Sequence, residues 1–162
     1  MSTTPSGATP ALRTVLEAGL WHRVYEYDHD DAVKGFGAEA ADKLGFDPRS
    51  IFKTLVVTTP TGQCVSAVLA VADMLHPKRV AKALKVKSVH MADPGRAQQK
   101  TGYVLGGISP LGQRTGIPML VDTTVEQLDT IIVSGGQRGL SLELRVTDFL
   151  ELTAARVAHI RR

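Results

Sequence analysis

The apolar positions of this chain change period several times, and each change marks an element. Leu12, Val15 and Leu16 recur at helical spacing between Pro10 and Leu20, with Gly19 as a stop, so a first helix is expected there. His22 to Tyr27 alternates as a strand does, with Val24 and Glu26 on one face and Tyr25 and Tyr27 on the other. A polar turn, Asp28 to Asp31, leads to a short helix from Gly37 to Leu44 that Gly45 ends. Asp47-Pro48 then opens the next element. Ile51 to Thr58 is rich in β-branched and aromatic residues and reads as a strand. The turn Thr59-Pro-Thr-Gly62 sends it back as a nearly continuous apolar strand, Val65 to Val71, making a hairpin.

Further on, Pro77 starts a helix reaching Lys87, with Val80, Ala83 and Leu84 as its buried stripe. Ser88 to Met91 is a short strand, and Asp93-Pro94 opens a helix running to about Thr101. Ile117 to Val121 reads as a strand and Val125 to Leu128 as a short helix. Ile131 begins a strand that runs into a second glycine turn, and Leu142 and Leu144 alternate with Glu143 in a last strand. Thr147 or Asp148 caps a helix Phe149–Leu152, followed by a basic tail. No internal repeat is visible, and strands and helices intermix without a βαβα rhythm. The expectation is a mixed α/β fold, a mixed β-sheet wrapped by helices, in one domain spanning 10–162 after a disordered tail over 1–9.

Between two of these elements lies Thr101-Gly-Tyr-Val-Leu-Gly-Gly-Ile-Ser-Pro-Leu-Gly112, with Gly116 soon after. Each glycine loses more backbone entropy on ordering than any other residue, so such a run marks positive φ or a close approach of a ligand to bare backbone. Pro110 stiffens the loop and pushes Ser109 towards an extended conformation. A turn-rich connection and a ligand cradle are equally compatible with the composition. A nucleotide cofactor is not supported, because Gln113 and Arg114 follow Gly112 where a P-loop needs Lys and Ser/Thr, and no G-x-G-x-x-G joins a strand to a helix.

Lys53 is the second candidate. Period-2 counting places it with Ile51, Leu55 and Val57, so a lysine falls on an apolar face and must find a partner, reach water or lose its proton. It is either an edge lysine whose head escapes or the lining of a pocket for an anionic or carbonyl group. The single cysteine, Cys64, rules out an internal disulfide and reads as core filler.

Hydrophobic content of 43% and charged content of 22% fit an ordinary globular protein. The longest apolar run, Ala67 to Ala72, is too short to span a membrane, and the N-terminus lacks a secretory pattern, so a cytoplasmic location is expected. Charge is uneven: residues 1–75 carry 6 Lys/Arg and 9 Asp/Glu, whereas residues 76–162 carry 13 and 7. Lys78, Lys82 and Lys85 share one helix face, either a solvated surface or a phosphate contact. The histidines His22, His29, His76, His90 and His159 show no metal-ligand spacing, and no G-x-S-x-G elbow is present. Ser109 and Ser134 sit in glycine turns with no histidine base evident, and ST-turn hydrogen bonds account for both. No metal or other cofactor is expected.

Tyr27, Phe52-Lys53-Thr54-Leu55, Met91-Ala-Asp-Pro94, Thr101-Gly-Tyr103, Gly106-Gly-Ile-Ser-Pro-Leu-Gly112 and Ser134-Gly-Gly-Gln-Arg-Gly-Leu140 occur in this order. In that series the chain resembles the YbaK branch of the YbaK/ProX aminoacyl-tRNA editing superfamily from about residue 10 to 155. The resemblance implies a mixed, partly barrel-like β-sheet surrounded by helices, and a freestanding Cys-tRNA(Pro) deacylase that works in trans. It further implies that the substrate's own thiol attacks the ester carbonyl. Prolyl-tRNA synthetase is the implied partner, and the acceptor end of aminoacyl-tRNA the implied ligand.

Carried over residue by residue, the resemblance makes Lys53 and Gly106 the catalytic positions, with Lys53 near the tRNA terminus or carbonyl and Gly106 offering N–H to the ester oxygen. Tyr27, Thr54, Gly107, Ile108, Ser109, Pro110, Ser134, Gly135 and Ser141 are then the substrate-binding positions. Ser141 departs from the family pattern, which commonly has aspartate there; the hydroxyl remains and the charge is lost. A deacylase for alanine or serine, or a non-catalytic tRNA- or synthetase-binding module, are the competing readings.

Overall fold

The computed structural model describes residues 8–30 and 36–162. Most of the tail expected over 1–9, and Asp31 of the polar turn, lie outside the described residues. Helix α1 (Pro10–Glu17) starts where proline at its first position and the Thr9 hydroxyl, accepting from Leu12 N–H, satisfy its end. Strand β1 (His22–Glu26) follows, then helix α2 (Phe36–Leu44). The expected hairpin is formed by β2 (Phe52–Thr58) and β3 (Cys64–Ala70), antiparallel in a register that sets Lys53 opposite Leu69 and Thr54 opposite Val68. After it come α3 (Pro77–Leu84), β4 (His90–Met91), α4 (Pro94–Thr101) and β5 (Met119–Asp122). A 3-10 turn precedes β6 (Thr130–Ser134), β7 (Leu140–Arg145), α5 (Val146–Thr153) and β8 (Arg156–Ala158).

The strands form two sheets rather than a closed barrel. One is antiparallel, in the order β1-β7-β6; the other is mixed, in the order β4-β2-β3-β5-β8, with β5 parallel to both β3 and β8. They meet at one parallel bridge between Ile51 and Ile132, where Ile132 N–H donates to Ser50 oxygen at 3.1 Å.

Every residue of β3 is buried, because alternate side chains serve two cores. Cys64, Val68 and Ala70 pack with Phe52 and Val56 against Ile131, Val133, Leu142 and Leu144 of the other sheet. Val65, Ala67 and Leu69 face Val80 and Ala81 of α3, together with Ile160. That two-sided burial explains the nearly continuous apolar run in the sequence.

Three expectations need correction. The basic tail contains β8, whose three residues pair in parallel with β5. Helix α5 begins at Val146 with Arg145 as its cap residue, rather than at Phe149 after Thr147 or Asp148. Ile51 stands outside β2 and belongs to the bridge between the sheets.

Asp122, with 0% of its surface exposed, fastens the segment after β8. Its Oδ1 accepts from the N–H groups of Ile160 and Arg161 at 3.0 and 3.2 Å. Its Oδ2 accepts from Thr124 N–H, the Thr124 hydroxyl and Arg161 Nη1 at 3.0, 2.9 and 2.9 Å. Burial by itself raises the pKa of this carboxyl, but the N–H groups of Thr124 and Ile160, the Thr124 hydroxyl and the Arg161 charge outweigh it and hold the group below its ordinary value. Because the folded pKa is depressed, the stabilisation is complete above the unfolded value of about 4 and is lost as pH falls through the folded one. Asp122→Ala is expected to lower stability by about 3 kcal/mol in urea titrations at neutral pH, since it leaves three N–H groups, the Thr124 hydroxyl and a guanidinium without their acceptor. Asp122→Asn is expected to flatten the acid limb of the stability profile.

Candidate functional site

Where β2 runs past the bridge and the two sheets diverge, they leave a cavity of about 420 Å³. Residues 51–55 form one wall, with Val71 beyond β3. The opposite wall is Ser134 at the end of β6, Leu140 and Ser141 at the start of β7, and Gln137 between them. Leu105, Gly106 and Ile108 of the glycine loop close one side, and Tyr27 and Ala38 the other.

The glycine loop is held from within. Gly102 ends α4 with φ of 81°, and the buried Tyr103 hydroxyl donates to Leu111 oxygen at 2.6 Å, drawing the two ends of the loop together. Burial pushes the Tyr103 phenol up to about 12, so it stays a donor. Leu105 N–H donates to Gln98 Oε1 at 3.0 Å, and Arg138 Nε donates to Leu105 oxygen at 2.8 Å. Gly106 holds φ of 84°, a conformation that strains any residue with a Cβ. Among the described residues its N–H has no acceptor. Gly107 is a packing glycine, since a Cβ there would fall 2.8 Å from Gln137 Cα.

Lys53 is half-buried and, among the described residues, is the one charged residue lining the cavity. Its Nζ donates to the Asp73 carbonyl at 2.7 Å. Burial lowers its pKa, and the Asp73 carboxylate partly offsets the effect. Thr54 presents a buried Oγ1 that has no hydrogen-bond partner. A buried hydroxyl without a hydrogen bond costs about 1–3 kcal/mol. Ser134 and Ser141 face each other across β6 and β7, and Ser134 Oγ accepts from Gly136 N–H at 3.2 Å. Tyr27 carries a phenol raised by burial and by the nearby Glu39 carboxylate.

Glu39, not singled out in the sequence, is buried beside this wall. It accepts from His29 Nδ1 at 2.7 Å and Asp30 N–H at 3.0 Å, with Lys43 Nζ at 3.5 Å. Burial raises its pKa, but the bonds from His29 and Asp30 prevail and keep it low, so the carboxylate ties the chain after Tyr27 to α2.

Of the residues singled out in the sequence, Tyr27, Lys53, Thr54, Gly106, Ile108, Ser134 and Ser141 line this cavity. Four do not. Gly107 packs on Gln137; Ser109 is fully buried and its hydroxyl accepts from Leu111 N–H at 3.2 Å. Pro110 lines a second cavity of about 270 Å³ on the far side of the loop, with Thr14 and Leu152. Gly135 pairs its N–H with Leu140 oxygen at 2.8 Å, while its own carbonyl accepts from the Thr9 hydroxyl. Among the described residues no group of histidine, cysteine and carboxylate side chains could hold a metal ion. No helix among them is long and apolar enough to cross a membrane. Among the described residues the cavity lining thus brings together a cation, a glycine backbone and several hydroxyls, with no carboxylate or histidine.

Residues 31–152 match the aminoacyl-tRNA editing domain family, and the chain belongs to it. Over 157 residues it is 36% identical to the Enterococcus faecalis protein described as "Putative Cys-tRNA(Pro)/Cys-tRNA(Cys) deacylase EbsC", covering 94% of this chain and 92% of that one. It is 21% identical over 137 residues to "Uncharacterized protein YwhH" of Bacillus subtilis, covering 85% of this chain and 87% of that one. Its fold is that of "a putative trans-editing enzyme for prolyl tRNA synthetase", with a TM-score of 0.80 and 23% identity over 99% of both chains. It also matches "hypothetical protein APE2540", with a TM-score of 0.84 and 24% identity, over 94% of this chain and 99% of that one.

Thr54→Val replaces the unpartnered hydroxyl by a methyl group of similar size. It is expected to raise stability by about 1 kcal/mol in thermal or urea unfolding while impairing turnover of an aminoacyl ester. A loss of stability would show that the hydroxyl is already satisfied in the free protein.

Proposed function

We propose that the protein deacylates mischarged Cys-tRNA(Pro) in trans, with the thiol of the bound cysteinyl group as nucleophile. The observation that carries this reading is that Lys53, Thr54 and Gly106 line one cavity, which among the described residues holds no carboxylate or histidine, in a chain of the editing-domain family. The described EbsC relative supports the substrate, and the trans-editing fold match supports prolyl-tRNA synthetase as the partner, in the cytoplasm where translation runs.

A cysteinyl thiol has an ordinary pKa of about 8.5, and the Lys53 ammonium favours its ionised form. The thiolate attacks the ester carbonyl carbon. A sulfur–carbon bond forms, the carbonyl oxygen takes up charge and accepts from Gly106 N–H, and the carbon–oxygen ester bond breaks. The terminal ribose hydroxyl leaves with the proton the thiol released, giving a cysteine thiolactone and free tRNA. Holding the thiol against its own ester supplies a large effective molarity, which takes the place of a protein nucleophile. On this route the enzyme is a lyase in type; attack by water would make it a hydrolase.

Ser141 favours a second reading, a deacylase that also accepts alanine or serine, because the residue is 3% exposed, lines the cavity and brings a hydroxyl without charge. Turnover of Cys-tRNA(Pro) beside Ala-tRNA(Pro) separates the two. Loss of cysteine alone, at a rate rising with pH towards the thiol pKa, supports thiol assistance; equal loss of both supports attack by water. No loss of either, with prolyl-tRNA synthetase added, overturns the deacylase reading in favour of a binding module.

Lys53→Ala is expected to reduce deacylation at least 100-fold with little change in melting temperature, a loss of about 3 kcal/mol in transition-state stabilisation. Gly106→Val is expected to be as inactive, since a β-branched residue cannot hold φ of 84° without strain. Near-normal turnover in either variant, measured as release of amino acid from charged tRNA, would remove that residue from the site.

A further inference from the structure

Residues 74–87 contain no Asp or Glu and carry Lys78, Arg79, Lys82, Lys85 and Lys87. Residues 154–162 also contain none and carry Arg156, Arg161 and Arg162. The fold docks these two stretches on each other. Arg79 Nη1 donates to Arg161 oxygen at 2.6 Å and to His159 Nε2 at 2.8 Å. The Arg156 guanidinium donates to Ala83 oxygen, and His76 N–H donates to Ile160 oxygen at 2.8 Å. Among the described residues, Arg161 alone of these cations is paired with a carboxylate, Asp122 at 2.9 Å. Lys78, Lys82 and Lys85 are exposed on one face of α3 and its cap, spread over about 10 Å of helix axis. Lys85 holds φ of 58° at the helix cap, where glycine would be unstrained, and so keeps a cation on this face.

This surface begins at the edge of the cavity. Asp73 gives its carbonyl to Lys53 Nζ, the next carbonyl, that of Met74, accepts from Arg162 N–H at 2.8 Å, and Leu75 bridges Arg161. Met74, 63% exposed, is the one large apolar side chain left open along it. Lysine is depleted in the cores of protein–protein interfaces, whereas spaced, solvated cations are what phosphate backbones require.

We propose that the joined surface of α3 and residues 156–162 binds the phosphate backbone of the tRNA acceptor stem while its aminoacylated 3′ end occupies the cavity; this rests on the deacylase reading above. Such contacts are independent of base sequence, which leaves the choice of tRNA to a partner and the choice of amino acid to the cavity.

The test uses the full chain and a Lys78→Glu/Lys82→Glu variant, with Arg162→Glu as a second, independently placed variant. Binding of uncharged tRNA is followed by fluorescence anisotropy across a salt series. Hydrolysis is followed on Cys-tRNA(Pro) and on a small ester, 3′-cysteinyl adenosine, which has no stem. The double variant is expected to weaken tRNA binding about tenfold or more near 0.1 M salt and to reduce the slope of log K against log salt by about 2. Its kcat/KM on Cys-tRNA(Pro) should fall by a similar factor, with turnover of the small ester unchanged. Unchanged tRNA affinity and slope in both variants would overturn the proposal even if both substrates are cleaved. If neither substrate is cleaved by the wild type, the deacylase reading fails, and the anisotropy series still decides the surface.

Discussion

A strand with no exposed face must be covered twice, and β3 imposes that requirement on everything around it. Its two sets of side chains, Cys64, Val68 and Ala70 on one side and Val65, Ala67 and Leu69 on the other, demand separate partners. The antiparallel sheet supplies one cover. The other needs α3, and it needs Ile160, which lies far along the chain and is fully buried. Ile160 stays in place because Asp122, at the end of the neighbouring strand β5, accepts its N–H. One buried carboxylate thus finishes a core that hydrophobic pattern alone would leave open, and the same docking brings the basic residues of 156–162 beside those of α3.

The cavity is a consequence of the same layering. Two twisted sheets joined at the Ile51–Ile132 bridge diverge beyond it, and the cavity lies between residues 51–55 and the ends of β6 and β7. The walls are mostly apolar, so the few polar groups act in poorly hydrated surroundings where their interactions are strengthened and their costs are high. Lys53 and Thr54 show both effects. The lysine is partly desolvated and borrows a backbone carbonyl, and the threonine hydroxyl is left without any bond. Neither arrangement favours folding over a plain valine at the same position. Local rules are broken in this way where function, rather than stability, selects the residue.

Much of this was readable from pattern. The β2–β3 hairpin follows from β-branched content and a Thr-Pro-Thr-Gly turn, and the burial of β3 from its nearly continuous apolar run. The glycine loop declared itself by composition, and Lys53 by being a charge out of phase with its strand. What pattern could not supply is which way each loop residue faces. Ser109 and Pro110 belong to the same motif as Gly106, yet one bonds inside the loop and the other backs onto α1 and α5. Strand β8 was hidden because three residues, Arg-Val-Ala, carry no period of their own and are strands only by pairing with β5. Leu105, Gln137 and Leu140 reach the cavity, and Glu39 reaches His29, through tertiary contacts with no local signature.

An active site without an acid–base pair needs rigidity more than reactivity. On the proposed route, in which the nucleophile comes with the substrate, the protein's part is to hold a thiol and an ester at bonding distance and to meet the charge that develops on the carbonyl oxygen. Both tasks depend on fixed backbone, because a donor that must reorganise at the moment of reaction loses most of its advantage. The stapling of the glycine loop fits that need: the Tyr103 hydroxyl on Leu111, the Gln98 amide on Leu105 N–H and the Arg138 guanidinium on Leu105 oxygen fix the residues on either side of Gly106. The loop is poor in side chains but not slack. Its glycines let the backbone reach the cavity, and its hydrogen bonds remove the freedom that those glycines would otherwise bring.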